Sequence, residues 1–463
     1  MKSLSVGNLL EATGGRLLGE SADLKRSVTQ VDTDSRKARG GSLFIPLIGE
    51  RFDAHAFLDG ALEQGAEGCL TDREPKTCRP GKFYILVEDT TRALGALAKW
   101  YKNRFSIPVV AVTGSVGKTT TKDMIASVLS ERFRVLKTDG NFNNEVGLPL
   151  TMLRLDETYE MMVLEMGMSK PGEIEYLSSL AEPDVAVITN IGDSHIEFFG
   201  SREKILAAKS EIFLHMKPGS PAVLNGDDPL LRTLEGKTPG SVVWCGAGED
   251  CDCRALTMTD DGEHMSFCKV KTPTLDGQLT IPALGRHMLY PALMAVAVGE
   301  QFGLSPRELM EGVAAFSPTK MRMNILQRGD GVTIFDDAYN ANPQSMRAAA
   351  EVLSGAKGKY KIAVLGDMFE LGAFGPMLHT GVGEYLGRVG IDCLVAVGDL
   401  AKNIAAAARA AMVPEVYYFP TRAQAYPVLE GLLRPDCTIL VKASRGMAFE
   451  EIVAFLKEHT KEP

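Results

Sequence analysis

A chain of 463 residues with 45% hydrophobic and 24% charged residues is long enough for two or three globular domains, and it excludes a disordered or fibrous protein. A formal net charge of −9 argues against broad binding to nucleic acid or to an anionic membrane, while leaving room for a local basic pocket around a phosphorylated ligand. The opening stretch MKSLSVGNLLEATGG is broken by Gly7 and Asn8 and followed by Glu11, so it does not read as a signal peptide, and no apolar run is long enough to span a membrane. A cytoplasmic protein without stable membrane insertion is the expectation.

In chain order, strand patterns SLFIPLIG and KFYILVED flank a helical pattern at 56–65, and these residues form a first small unit. IPVVAVTG then predicts a buried strand. GKTTTKDMIASVLSERF predicts a helix whose apolar residues Met124, Ile125, Val128, Leu129 and Phe133 recur at helical spacing. YEMMVLEMGM, DVAVITNIG and PAVLNGD read as further buried strands, separated by helical segments at 172–181 and 201–214. The pattern weakens over 245–282, a helical segment occupies 286–303, and alternation restarts with VTIFDDAY, YKIAVLGDM, DCLVAVGD, EVYYFP and CTILVKAS. Such strand–helix alternation predicts parallel sheets with helices on both faces. The expected architecture is α/β in three domains: 1–87, 88–317 with a mainly parallel sheet, and 318–463, which is Rossmann-like. Cys245, Cys251, Cys253 and Cys268 lie close in sequence but show no paired C-x2-C spacing, so they are read as reduced, buried thiols.

The clearest chemical motif is AVTGSVGKTTTK at 111–122. A strand, a glycine turn and a helix opening at Lys118 aim backbone N–H groups and the positive end of a helix dipole at one spot, which suits a phosphate chain. Lys118 is placed to reach the terminal phosphates, and Thr119 to join a Mg²⁺ shell. The usual P-loop has a glycine where this chain has Val112. Glu165 in LEMG and His195 in TNIGDSHIEFFG follow predicted strands, where ligands bind in parallel sheets. Glu165 is a hard oxygen donor suited to Mg²⁺, whereas His195 taken alone reads as a loop histidine with a structural hydrogen bond. Lys209 in AAKSEIF reads by itself as a solvated surface lysine.

DDAYNANPQSM at 336–346 is unusually polar for a strand-to-helix junction, and GDMFELG and KASRG also follow strands, so a second binding site is expected on that rim. Near the N-terminus, TDSRKARGGSLFIPLIGERFDAHAFLDGALEQGA places Ser35 and Arg36 where they suit a phosphate, with Phe44 as a pocket floor.

Together these motifs resemble the Mur ligases over nearly the whole chain. The family's P-loop, T-G-[ST]-x-G-K-T-[TS], also lacks the earlier glycine and is matched by Thr113, Gly114, Ser115, Val116, Gly117, Lys118, Thr119 and Thr120. GNFNNEVGLPLT, LEMGM, ITNIGDSH, AAKSEIF and NGDD follow in the family's order. DDAYNANPQSM and GDMFELG point to the branch that adds D-alanyl-D-alanine to UDP-N-acetylmuramoyl-tripeptide.

The resemblance implies an ATP-dependent, ADP-forming carbon–nitrogen ligase of peptidoglycan precursor synthesis that works through an acyl phosphate. It implies an N-terminal domain for the UDP-substrate, a central ATPase domain, and a C-terminal domain that takes D-alanyl-D-alanine and closes on ATP about hinges near 85–90 and 316–322. Thr119, Glu165 and His195 would then serve Mg²⁺, and Lys209 would carry a CO₂-derived carbamate that helps hold the metal, which reverses its surface reading. Arg322 and Asp336 would reach the ATP phosphates and ribose, and Ser35 and Arg36 the uridine diphosphate. Asn144, Tyr339, Asn340 and Asn342 would contact substrate. A monomer with no nucleic-acid partner is implied. The chain departs from the family pattern at Met288 and Pro291, where asparagines are usual near the adenine, and at Phe198 and Met321, where glycines are common. A ligase adding a single amino acid, a P-loop small-molecule kinase and a non-catalytic nucleotide-binding regulator remain as alternatives, and diaminopimelate and lysine are both open as the third residue of the acceptor peptide.

Overall fold

The computed structural model describes residues 1–18, 23–49 and 52–458, so residues 50–51 of the 33–66 segment and the C-terminal 459–463 lie outside it. Three larger sheets follow one another along the chain, and a two-stranded antiparallel ladder pairs Leu4–Ser5 with Ser27–Val28 beside the first. The first has five strands in the order Arg16–Leu18, Phe83–Leu86, Gly68–Thr71, Ser42–Phe44, Gln30–Asp32, antiparallel at the first pair and parallel elsewhere. The third has six strands, Asn324–Gln327, Thr333–Asp336, Cys437–Lys442, Tyr360–Gly366, Cys393–Val397 and Glu415–Phe419, and again only the first pair is antiparallel.

The central sheet has nine strands. Its parallel part runs Cys253–Asp260, Gly240–Gly246, Gly219–Asn225, Val185–Ile188, Val109–Thr113, Met161–Glu165, Val135–Lys137. Val109–Thr113 is buried throughout because helices cover both faces. Val110 and Val112 join the cluster of Met124, Ile125, Val128 and Leu129 from the helix Lys118–Leu129, with Leu293 and Val296 from Leu289–Gln301. Val109 and Ala111 face Ile174, Leu177 and Ile205 on the other side. This period-two division is the side-chain alternation of a strand. The chain leaves Val109–Thr113 toward one edge of the sheet and later returns to its other flank, which makes its C-terminal end a topological switch point.

The weak pattern at 245–282 folds into the strands Cys253–Asp260, Ser266–Lys271 and Asp276–Ile281, the last two added antiparallel at the sheet edge. Their residues alternate between buried and exposed, so no continuous apolar run marks them. The helix predicted from 118 ends at Leu129, and Phe133 packs on the same core from beyond it. Cys245 and Cys253 are register partners on neighbouring strands, and all four clustered cysteines are buried. Among the described residues no group of His, Cys, Asp and Glu is arranged as a metal cluster, and no helix is long and apolar enough to cross a membrane.

Two linking segments bear on the site. The helix Thr90–Lys102, capped by Asp89, carries the chain from the first sheet to the second. The segment between the helix Pro306–Ala314 and the strand Asn324–Gln327 holds Met321 and Met323 in the left-handed region, at φ +61° and +52°.

Candidate active site

Val112 lies inside its strand, fully buried, with Glu165 and Val187 as register partners. The backbone turns only at Gly114, so a glycine at position 112 has no turn to serve. At Gly114 (φ +146°) a Cβ would stand 1.8 Å from Thr189 Oγ1. The loop is clamped from the neighbouring strand end: Ser115 N–H donates to the Asn190 carbonyl (3.0 Å), Val116 N–H to Asn190 Oδ1 (3.0 Å), and Thr189 Oγ1 to the Val116 carbonyl (2.6 Å). Gly117 (φ +81°) then opens the helix Lys118–Leu129. Lys118 folds back to donate to the Gly114 carbonyl at 2.9 Å, the place a phosphate chain would draw it from. Burial lowers its pKa, and Glu165 acts against that shift.

The loop forms one wall of a cleft of about 630 Å³. Ser115, Val116, Gly117, Lys118, Thr119, Asn144, Glu165 and His195 line it from the central domain, and Arg322, Tyr339, Asn340 and Asn342 from the C-terminal one. Thr113 Oγ1 lies beneath, donating to the Met166 carbonyl at 2.8 Å.

Glu165 is 2% exposed; its Oε1 accepts from Asn143 Nδ2 (2.8 Å), while Oε2 is buried with no partner. An unpaired buried carboxylate oxygen is costly unless something else satisfies it. Beside a phosphate loop, with the hydroxyl of the buried Thr119 on the same wall, that oxygen suits a hard divalent cation such as Mg²⁺, which takes few protein ligands and completes its shell with phosphate and water. His195, in the left-handed region at φ +63°, places Nδ1 2.6 Å from Glu370, and this contact ties the strand end of the central domain to the GDMFELG segment. The His195 contact, with lesser help from Lys118, holds the Glu370 carboxyl below its ordinary range.

Lys209 overturns its surface reading. It lies in the last turn of the helix Arg202–Ser210 at 2% exposure, with no hydrogen-bond or ion-pair partner among the described residues. Burial, with the Lys118 charge nearby, pushes its amine well below the ordinary lysine value.

On the opposite wall the Arg322 guanidinium lies over the Tyr339 ring at 4.4 Å and makes no ion pair among the described residues. Asn342 is the N-cap of the helix Pro343–Gly355, with its Oδ1 accepting from Ser345 N–H, and its Nδ2 donates to Ser194 across the domain boundary at 3.2 Å. Asn144 Oδ1 accepts from the Val146 and Gly147 N–H groups (3.3 and 2.9 Å) just before the helix Gly147–Met152.

Lys209 is not among the residues that line this cleft, and Ser35, Arg36 and Asp336 stand apart from it. Ser35 and Arg36 lie on the short helix Ser35–Lys37 of the first domain, where Arg36 is paired with Asp34 at 2.8 Å and holds that carboxyl down to about 2. Asp336 lines a separate groove with Met323, Glu450 and Lys457. Burial raises its pKa there. Its neighbour Asp337 lines the adjoining apolar cavity instead, 2.5 Å from Lys442, a 3% exposed lysine that also donates to the Asn340 carbonyl (3.0 Å) and lines both the cleft and that cavity. Position along the strand decides which aspartate faces which way, and no motif marks it. Arg92 and Tyr176 also line the cleft although no motif contains them; the Asp89 cap followed by helical periodicity is the one sequence signal for the helix that carries Arg92.

A second cavity of about 180 Å³ adjoins the loop at Gly117 and Thr120. Met288, Pro291, Phe316 and Pro318 make it mainly apolar, and His287 and Tyr290 are at its rim. The two departures at Met288 and Pro291 thus line this cavity.

Comparison with known proteins agrees with this arrangement. The family model described as the Mur ligase middle domain matches residues 112–299, and that for the Mur ligase glutamate ligase domain matches residues 321–445. A UDP-N-acetylmuramoyl-tripeptide--D-alanyl-D-alanine ligase of Bacillus subtilis (strain 168) is 40% identical over 98% of this chain and 98% of its own. A solved structure of UDP-N-acetylmuramoylalanyl-D-glutamyl-2,6-diaminopimelate--D-alanyl-D-alanyl ligase from Acinetobacter baumannii superposes with a TM-score of 0.89 at 32% identity, covering 99% of both chains. A MurF ligase structure from Thermotoga maritima in complex with ADP gives 0.83 at 30% identity, covering 93% of this chain and 97% of that one. Matched from end to end by ligases that share its three-domain build, this chain belongs to the Mur ligase family.

Proposed function

We propose that the protein joins D-alanyl-D-alanine to UDP-N-acetylmuramoyl-tripeptide with ATP, forming ADP and phosphate, in the cytoplasm. The observation that carries this reading is the meeting of Lys118, Glu165 and His195 with Arg322, Tyr339 and Asn340 around one cleft between two domains. A phosphoryl donor on one wall and an amine on the other then flank a single acceptor.

A carboxylate in water is a poor electrophile. The terminal carboxylate of the tripeptide attacks the γ-phosphorus of ATP, the β–γ bridging P–O bond breaks, and an acyl phosphate and ADP result. The amine of D-alanyl-D-alanine then attacks the acyl carbon, the C–O bond to phosphate breaks, and the amine gives up a proton. The backbone N–H groups at the helix start hold the phosphates, Lys118 swings from the Gly114 carbonyl to them, and Arg322 spreads the charge that builds up during transfer. The adenine occupies the apolar cavity beside Met288 and Pro291, where packing replaces amide contacts. Ser35 and Arg36 take the uridine diphosphate, Asn144 the acceptor, and Tyr339, Asn340 and Asn342 the dipeptide side.

Glu165, Thr119, His195 and Lys209 as its carbamate would hold Mg²⁺, which supplies neutralising charge to the phosphates when bound. The carbamate reading is supported by the buried, unpartnered Lys209 amine: its depressed pKa leaves a free electron pair to attack CO₂, with loss of one N–H proton. Closure about the Met321–Met323 segment excludes water from the acyl phosphate.

Phosphate release measured with UDP-N-acetylmuramoyl-tripeptide, with and without D-alanyl-D-alanine, tests the reading. Release that depends on the dipeptide is expected. Release indifferent to it would sink the ligase assignment in favour of a kinase or simple ATPase.

A further inference from the structure

The cleft is lined as well by Arg92, Glu145, Lys170, Glu173 and Tyr176, none of which belongs to the machinery above. Arg92 projects from the first turn of the helix Thr90–Lys102, and its guanidinium lies 4.0 Å from the centre of the Tyr176 ring. Tyr176 is itself held in place. Its hydroxyl is buried against Gly95 of the same helix, where a Cβ would approach it to 2.1 Å. A glycine inside a helix costs about 1 kcal/mol relative to alanine, so this one is present to admit the ring.

Glu145 follows Asn144 and is exposed to the cleft. Its charge, after burial, adds to the upward shift of the Tyr176 hydroxyl. Lys170 and Glu173 face each other at 3.9 Å, and Glu173 also accepts from the Ser169 and Lys170 N–H groups. Arg92 and Glu145, by contrast, have no ion-pair partner among the described residues. The wall thus offers one unpaired cation on a rigid aromatic platform and one unpaired anion.

The occupant follows from what the other walls hold in the proposed function, on which this inference rests. Nucleotide lies along the phosphate loop, dipeptide along Tyr339 and Asn340, and the reacting carboxylate beside Lys118. The third acceptor residue carries that carboxylate, so its side chain leaves the reacting centre toward the remaining wall. A lysine side chain ends in an ammonium alone. A diaminopimelate side chain ends in an ammonium and a carboxylate on one carbon, complementary to Glu145 and Arg92 together. The A. baumannii ligase of the same fold is named for a diaminopimelate substrate. We propose that Arg92, presented by Tyr176 and assisted by Glu145, selects a diaminopimelate-type third residue over lysine: the distal carboxylate accepts from the Arg92 guanidinium and the distal ammonium donates to Glu145.

The test compares kcat/KM for UDP-N-acetylmuramoyl-tripeptides ending in diaminopimelate and in lysine, read as dipeptide-dependent phosphate release. Wild type is expected to favour diaminopimelate by about 10- to 100-fold, the range of a charge-assisted hydrogen bond. Arg92→Met is expected to bring that ratio close to one, chiefly through KM, and Arg92→Lys to restore part of it. The ratio is internal to each variant, so a change in stability or in the active fraction does not move it. A wild-type ratio near one overturns the inference. So does an Arg92→Met variant that slows both substrates equally, which would mean Arg92 holds an anion common to both, such as the diphosphate. Dipeptide-dependent release with neither tripeptide overturns the ligase reading and this inference with it.

Discussion

Replacing Lys209 with methionine separates stability from chemistry. Lys209 is 2% exposed, its amine has no partner among the described residues, and burial and the Lys118 charge push it well below its ordinary value. On unfolding it returns to water and takes up a proton at any pH below the ordinary lysine value. Below its folded-state pKa both states carry the proton, and the native state bears the whole cost of a buried ammonium. Above the folded-state pKa the native amine is neutral, and the cost shrinks by about 1.4 kcal/mol for each pH unit until it vanishes at the ordinary value. Wild-type stability therefore rises with pH across this window, because the unfolded chain binds one more proton than the native one. Lys209→Met keeps the length of the side chain and removes that proton. It is expected to be more stable than wild type at neutral pH, with an advantage that falls by about 1.4 kcal/mol per pH unit in alkali. The assay is urea unfolding in CO₂-free buffer at a series of pH values, followed through Trp244, which is 6% exposed in the central sheet. Added bicarbonate is expected to stabilise wild type alone, since only the neutral native amine forms a carbamate, while turnover of the variant is lost. A stability difference that does not change with pH would refute the reasoning: the amine would then be protonated in the fold, and the carbamate would lose its starting species.

Two further substitutions test the packing around the cleft. Gly114→Ala sets a Cβ 1.8 Å from Thr189 Oγ1 at φ +146°, so strain and the lost Thr189 hydrogen bond together cost about 2–4 kcal/mol; ADP affinity by calorimetry is expected to fall by roughly 30- to 1000-fold, and unchanged affinity would contradict the loop geometry. Gly95→Ala gains about 1 kcal/mol of helix propensity but drives a methyl into Tyr176, an overpacking cost of about 1–3 kcal/mol; a lowered thermal midpoint is expected, and a raised one would show that the ring moves aside freely.

Features set by contiguous residues are legible in the amino-acid sequence. The phosphate loop needs a buried strand, two glycines and a lysine at fixed offsets, and all lie within Val109–Lys118. The parallel sheets are legible because strands buried on both faces read as unbroken apolar runs. The strands at 253–281 are not, because an edge strand with one wet face dilutes that run. Glu165, His195 and Arg322, singled out by family motifs, line one cleft, but the motifs do not tell that Asp336 lines a separate groove while its neighbour Asp337 lines the apolar cavity, since a strand's two faces are equivalent until something packs against one of them.

By itself, then, the sequence determined the order of the three α/β units, the phosphate loop without its first glycine, and the kind of chemistry that loop supports. Tertiary structure decided the rest. It buried Lys209 without a partner, left one oxygen of Glu165 unpaired, and brought Arg322 and Tyr339 across the cleft to Lys118. It also set Arg92 on a tyrosine admitted by a glycine in another helix turn. Each of these depends on residues far apart in the chain, and a side chain's charge state and partners follow from what surrounds it rather than from its neighbours in sequence.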